Sequence, residues 1–257
     1  MSRSGDLERI RLGLRAAAEA VRPYAPGNVA FEIKETRGDP VTEADRAADR
    51  VLREILPRDG EGWLSEESAD DAERLGRARV WVVDPIDGTR EFVEGIPEWC
   101  ISIGLVERGR PVAGGIYNPA TDELVIGSVE GGVTYNGATA RVLDRGLEGA
   151  TVLASRSETR RGEWERFSGA PFDVRPCGSV AYKMALVAAG RVDATWTLVG
   201  KSEWDVAAGT ALVRAAGGRV VLADGTEPAF NQARPVFPNF VAAGPRATRI
   251  LLERWLA

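Results

Sequence analysis

Residues 79 to 92, Arg-Val-Trp-Val-Val-Asp-Pro-Ile-Asp-Gly-Thr-Arg-Glu-Phe, constrain this chain more than any other stretch. Arg79 to Val83 is a short apolar run of β-branched and aromatic residues and predicts a strand. Pro85 cannot donate to a ladder, so the strand is expected to stop at Asp84. Asp87, Gly88 and Thr89 then form a turn. Two carboxylates three residues apart, on a tight loop leaving a strand, suit a hard divalent cation such as Mg²⁺, which takes oxygen ligands. The Ile86 carbonyl lies between them as a further ligand. Gly88 and Thr89 offer backbone N–H groups to an anion, as helix starts and backbone nests do. A cation site and an anion cradle on one loop point to phosphate chemistry. Asp-Pro and Asp-Gly also mark ordinary turns, so the rest of the chain has to decide.

Composition removes several alternatives. The chain contains no histidine, which excludes histidine triads, phosphohistidine intermediates and histidine zinc sites. Acid–base work falls to carboxylates, hydroxyls, lysine or water on a metal. Cys100 and Cys177 are the only cysteines, with no C-x-x-C pair, which argues against a disulfide scaffold or a zinc ribbon and fits a reducing cytoplasm. The net charge of −5, without a basic block, makes a nucleic-acid polymer an unfavourable partner. The N-terminus lacks the apolar stretch of a signal peptide, and no run reaches the length of a membrane span. The expectation is a cytoplasmic protein without membrane attachment.

Hydrophobic periodicity divides the chain. Residues 5 to 22 predict an amphipathic helix with Leu7, Ile10, Leu14, Ala18 and Val21 on one stripe. Residues 31 to 40 predict a polar hairpin or loop. Thr42 opens a second helix, and Thr42-x-x-Asp45 fits a capping box. Trp63 to Ser68 predicts a short strand entering a loop, and 69 to 78 an exposed charged connection. After the central loop, runs at Cys100–Glu107, Pro111–Tyr117, Glu123–Ser128 and Gly132–Tyr135 predict an antiparallel meander. From about 151 strands and helices alternate: strands at 151–155, 173–176, 192–197, 219–222 and 239–243, helices at 159–168, 180–189, 205–216 and 246–256. The expected class is α/β, with an α+β half over residues 1–147 carrying most of the metal ligands and an α/β half over 148–257.

Several familiar phosphate devices fail. Gly200-Lys201-Ser202 matches the end of a Walker A loop, but position 195 is Thr rather than Gly. No G-x-G-x-x-G occurs, and neither cysteine is followed by the arginine of a C-x₅-R phosphatase. The acids also sit as Asp84-x-x-Asp87 rather than D-x-D. Two further acids carry two readings each. Asp45 is either a capping residue or part of a site. Asp205, in Trp204-Asp205-Val206-Ala207-Ala208-Gly209, is either a first-turn acid or one that completes a site built by a distant loop.

Four segments together resemble the inositol monophosphatase superfamily of Mg²⁺-dependent, lithium-sensitive phosphatases. They are Asp39-Pro40-Val41-Thr42-Glu43-Ala44-Asp45, Leu64-Ser65-Glu66-Glu67-Ser68, Trp81 to Thr89, and Trp204 to Gly209. The resemblance spans nearly the whole chain. It implies a layered αβαβα sandwich with the site between the two halves. It further implies that Glu66, Asp84, Asp87, Asp205 and the Ile86 carbonyl hold two or three Mg²⁺ ions. By the same resemblance Asp45 and Thr89, with Glu66, position and deprotonate the attacking water, and Gly88 and Thr89 donate to the phosphate. A homodimer is the family habit.

Substrate reading divides. The central loop ends Thr89-Arg90-Glu91-Phe92, similar to the CysQ-like 3'(2'),5'-bisphosphate nucleotidases rather than to the Thr-Thr-Asn-Phe of inositol phosphatases. The position seven before Asp205, where inositol phosphatases often carry a hydroxyl-binding Glu, is Leu198. Lys201, and Arg90 on the loop, are set to meet substrate charge. Gly95-Ile96-Pro97 and Ser102-Ile103-Gly104-Leu105 resemble the inositol and histidinol phosphatase branches instead. The expectation is a small phosphate ester, with a bisphosphate nucleotide first and an inositol phosphate as the alternative. A metal- or phosphate-binding module without turnover is the reading of another class. The Asp45–Thr89 pair argues against it, because holding a cation needs only ligands whereas hydrolysis also needs an activated water.

Overall fold

The computed structural model describes residues 3–33 and 40–256. Helix α1 (Ser4–Val21) buries Ile10, Leu14, Ala17 and Val21. Strands β1 (Phe31–Ile33) and β2 (Pro40–Thr42) pair antiparallel, as the expected hairpin requires; its tip and Asp39 lie outside the described residues. Helix α2 (Glu43–Ile55) starts at the Thr42 capping box, with Thr42 Oγ1 accepting from Ala44 N at 3.1 Å.

A seven-stranded sheet follows. Its strands are β3 (Gly62–Ser65), β4 (Arg79–Asp87), β5 (Cys100–Glu107), β6 (Arg110–Asn118), β7 (Glu123–Ser128), β8 (Gly132–Tyr135) and β9 (Ala138–Ala140), in sequential order. β3 runs parallel to β4; every later pair is antiparallel, the predicted meander. A short helix α3 (Thr89–Glu94) leaves the end of β4.

The second half holds β10 (Ala150–Ser155), α4 (Arg156–Arg160), β11 (Phe172–Cys177), α5 (Val180–Ala188), β12 (Ala194–Thr197), β13 (Lys201–Ser202), α6 (Glu203–Ala215), β14 (Arg219–Val221), β15 (Val236–Phe237), β16 (Phe240–Ala243) and α7 (Pro245–Arg254). Five of these strands form a mixed sheet in the order β11-β10-β12-β16-β14, while β13 and β15 pair separately.

Side-chain alternation stacks the layers. Along β4, Trp81 and Val83 face α1 and α2, in a core with Leu14, Leu52 and Ile103. Val80 and Val82 face the other way, in a core with Met184 of α5 and Ala207, Ala208 and Leu212 of α6. Leu153, Val220 and Ala242 of the five-stranded sheet close that core from the far side. The sheet's outer face packs Trp196 and Val241 against Trp164, Phe167 and Leu251. The order is helices, sheet, helices, sheet, helices: the αβαβα sandwich.

Four local expectations are corrected. β4 does not stop at Asp84: Asp84 pairs with Ser102 and Asp87 with Cys100, so an extra residue bulges between them and the donor that Pro85 lacks is not needed. Residues 69–78 are not a plain exposed connection; a 3₁₀ turn at Ala72–Gly76 buries Arg74, whose guanidinium reaches Asp70, Asn231 and the Gln232 carbonyl. The helix at 159–168 is split into α4 and a 3₁₀ turn (Glu163–Phe167) by Gly162, whose φ of 77° no helix accepts. Asp205 is the third residue of its helix rather than the first.

Candidate active site

The bulged end of β4 carries the central loop into the seam between the layers. The alternation that points Val80 and Val82 at α6 continues to Asp84, so that carboxylate also faces the helix. Gly104 and Gly114, opposite each other on β5 and β6, let α6 come close. A Cβ on Gly104 would lie 2.8 Å from Ala208 N, and one on Gly114 would lie 2.7 Å from Ala208 O. The first turn of α6 thereby brings Asp205 to the end of β4.

Glu66, Asp84 and Asp205 each offer a carboxylate oxygen within 4.8 Å of the others. Asp84 is 1% exposed, and among the described residues neither of its oxygens has a hydrogen-bond partner. Burial pushes its carboxyl well above the usual range, and the charges of Glu66, Asp87 and Asp205 push it further. Burial and the charges of Asp87 and Glu66 raise Asp205 to about 7, against Lys201 and the hydrogen bond that Ser202 N–H donates to it at 2.8 Å. Three acids converging without a donor for the most buried of them is costly in a bare protein. An all-oxygen set of this kind fits a hard divalent cation, which would neutralise the charge and occupy the orphaned oxygens.

Asp87 lies beside this trio but is held from the other side. Ser179 Oγ donates to its Oδ2 at 2.7 Å, and Ala181 N–H, in the first turn of α5, donates to the same oxygen. Burial raises its carboxyl despite these bonds. Gly88 has φ of 95°, and a Cβ there would meet the Glu98 carbonyl at 2.9 Å, so glycine is required where the chain turns into α3.

Asp45 splits its two carboxylate oxygens between two partners. Its Oδ2 accepts from Thr42 N–H at 2.8 Å and Thr42 Oγ1 at 2.6 Å, which caps α2. Its Oδ1 accepts from Thr89 Oγ1 at 3.0 Å. Thr89 Oγ1 also lies 2.9 Å from the Ile86 carbonyl. One hydroxyl proton is thus shared between two acceptors, leaving the oxygen's lone pairs for a donor from the cavity. Burial raises the Asp45 carboxyl, against the bonds from Thr42 and Thr89.

These groups border a cavity of about 560 Å³ lined by Glu66, Ile86, Asp87, Gly88, Thr89 and Asp205, with Arg90 and Lys201 on its walls. Asp84 and Asp45 lie behind the lining. Three charged lining residues went unnoticed in the sequence. Arg156 is clamped by Glu98 at 2.6 Å, and Arg234 enters beside β15. Lys183, 1% exposed, donates to the carbonyls of Ser179 at 2.7 Å, Cys177 at 3.2 Å and Gly178 at 3.4 Å, and burial lowers its pKa. A single charged residue within the apolar run Val180–Ala188 was the available signal for it.

The fold and the site have known counterparts. Residues 8–255 match the model of the inositol monophosphatase family. An inositol-1-monophosphatase of Mesorhizobium japonicum is 38% identical over 214 residues, covering 79% of this chain and 80% of that protein. The solved inositol monophosphatase of Thermotoga maritima is 30% identical with a TM-score of 0.81, covering 98% of this chain and 96% of that one. The solved CysQ of Bacteroides thetaiotaomicron is 27% identical with a TM-score of 0.79, covering 94% and 98%. Family membership implies divalent metal ions, for which the acidic trio is the matching feature. With a family match over nearly its full length and the layered fold to go with it, this chain is a phosphomonoesterase of the inositol monophosphatase family.

Proposed function

We propose that the chain hydrolyses a small hydroxylated phosphate ester of the inositol 1-phosphate kind, using Mg²⁺. The observation that carries this reading is the Glu66–Asp84–Asp205 trio, with its orphaned Asp84 oxygens, set beside the Asp45–Thr89 pair. Glu66, Asp84 and Asp205 would hold the metal, with Asp87 and the Ile86 carbonyl contributing at its edge. Magnesium there would neutralise ester charge and acidify water at the site. Thr89 and Asp45 act on that water from the protein side: the Thr89 hydroxyl accepts its proton as its own passes toward Asp45. The backbone N–H groups of Gly88 and Thr89 orient the phosphate. A loose transfer needs positioning and charge stabilisation more than a covalent nucleophile, so the absence of histidine is no handicap.

The order of the two substrate readings reverses that expected from Glu91 and Leu198. The inositol-1-monophosphatase of Mesorhizobium japonicum supports the polyol ester, and its identity to this chain exceeds that of CysQ. The bisphosphate nucleotide stays as the second reading because two of the cations that line the cavity, Lys201 and Arg234, suit a second phosphate. Phosphate release from inositol 1-phosphate and from adenosine 3',5'-bisphosphate, with and without Mg²⁺, tests both. A hundredfold preference in kcat/KM for the polyol ester supports the first; the reverse preference replaces it with the second. No Mg²⁺-dependent release from either overturns both.

A further inference from the structure

Four carboxylates line the cavity: Glu66, Asp87, Glu91 and Asp205. Three are accounted for. Glu66 and Asp205 belong with Asp84, and Asp87 is tied to Ser179 and Ala181. Glu91 remains. It sits in α3, two residues beyond Thr89, and is 6% exposed. Its side chain lies flat against Gly178, where a Cβ would fall 2.4 Å from Glu91 Cγ and Cδ and 2.8 Å from Oε1.

Among the described residues no side chain donates to this carboxylate; the donor it has is its own backbone N–H. Lys183 is the nearby cation, but its ammonium donates to three backbone carbonyls. The opposite wall offers no substitute: Leu198 packs into the aromatic core around Trp196 and does not line the cavity, where Val199, Gly200 and Lys201 appear instead. A buried carboxylate only accepts hydrogen bonds, and it binds O–H donors while repelling anions.

We propose that Glu91 is a specificity-determining residue that accepts hydrogen bonds from hydroxyl groups on the substrate's leaving group. This rests on the polyol-ester reading and deepens it: the site selects hydroxylated esters through a carboxylate on the α3 wall, held in place by a glycine that leaves room for it. The cations Lys201 and Arg234 enter the same cavity from the β13–β15 pair, so Glu91 adds an acceptor to a cavity that also holds donors.

The test compares a hydroxylated ester with a bare one of similar shape, myo-inositol 1-phosphate against cyclohexyl phosphate, in the full chain with Mg²⁺. The readout is the ratio of their kcat/KM values. Glu91→Gln keeps the shape and removes the charge; the ratio is expected to fall at least tenfold, through a higher KM for the hydroxylated ester. Gly178→Ala keeps residue 91 as glutamate but displaces its side chain, and the backbone there is outside the left-handed region, so alanine strains no dihedral and the overlap falls on the Glu91 side chain. It is expected to lower the same ratio, and it decides the matter where Glu91→Gln does not fold. A ratio within twofold of wild type in the folded variants overturns the proposal, as does a wild-type enzyme indifferent to the hydroxyls. Should wild type hydrolyse only the nucleotide, the polyol reading falls separately. The Glu91 ratio is then read on adenosine 3',5'-bisphosphate against its 2'-deoxy counterpart, with the same two outcomes.

Discussion

Ser179 holds Asp87 through a 2.7 Å hydrogen bond that joins the start of α5 to the end of β4. A loop carboxylate thereby has a fixed position before any cation arrives. The bond also makes Asp87 separable from the fold, because an amide oxygen can still accept from Ser179.

Asp87→Asn is therefore expected to abolish turnover, with kcat falling at least about a thousandfold for loss of an electrostatic element at the reacting centre. The melting temperature should hold or rise, since a buried like charge is removed. Steady-state phosphate release and thermal unfolding check the two halves of this expectation. Retained Mg²⁺-dependent activity would remove Asp87 from the machinery.

The orphaned oxygens of Asp84 make a thermodynamic prediction. Mg²⁺ at about a hundred times its Kd should stabilise the protein by about 2.7 kcal/mol, or about 5–10 °C in a chain of this size. Asp84→Asn should raise the melting temperature in EDTA and shrink the response to Mg²⁺. Differential scanning fluorimetry across a Mg²⁺ titration reads both. An undiminished response in the variant would mean that the ion binds elsewhere.

Thr89 makes its contribution through one hydroxyl. Thr89→Val should lower kcat by about 10²–10⁴, the usual range for a lost general-base contribution, with KM changed much less. Thr89→Ser keeps the oxygen and should restore most of the rate. A rate in Thr89→Val close to wild type would take the hydroxyl out of the proton transfer.

Gly114 tests the approach of α6. Its alanine variant forces a Cβ against Ala208 O, at 2.7 Å in the unrelaxed structure. Overpacking of this kind costs about 1–3 kcal/mol. The helix carries Asp205, so Mg²⁺ affinity should weaken along with stability. A destabilised variant that binds Mg²⁺ as wild type does would uncouple the two.

Acid stability has its own group, remote from the site. Burial works against the Glu61 charge, but hydrogen bonds from Arg9, Trp81 and Arg79 prevail and hold its carboxyl down at about 2. A depressed carboxylate stabilises the fold fully above its unfolded value of 4.5, and that contribution is lost as pH falls toward 2. Glu61→Gln should flatten the fall in stability over this window, as read by urea unfolding at a series of pH values. An unchanged acid limb would assign the loss to other carboxylates.

How much of this was legible beforehand depended on where each partner lay in the chain. Asp84, Pro85 and Asp87 announced a loop because turn chemistry is local. The strand's passage beyond Pro85 was not legible, since the bulge depends on the register against Ser102 and Cys100. Arg74 read as a surface residue among charges; beyond nearby Asp70, its partners Asn231 and Gln232 lie far along the chain. Asp45 offered two readings because its carboxylate faces two ways: one oxygen caps α2 and the other accepts from Thr89. Glu91 was visible as a departure from one family pattern, but its place in the wall depends on Gly178.

The sandwiching of α6 between the two sheets has a consequence in time. During synthesis the ribosome delivers Glu66 and Asp84 well before Asp205, and β14 and β16, two strands of the sheet that covers its helix, come later still. The emerging polypeptide carries most of its acids early yet has no complete trio to hold a cation.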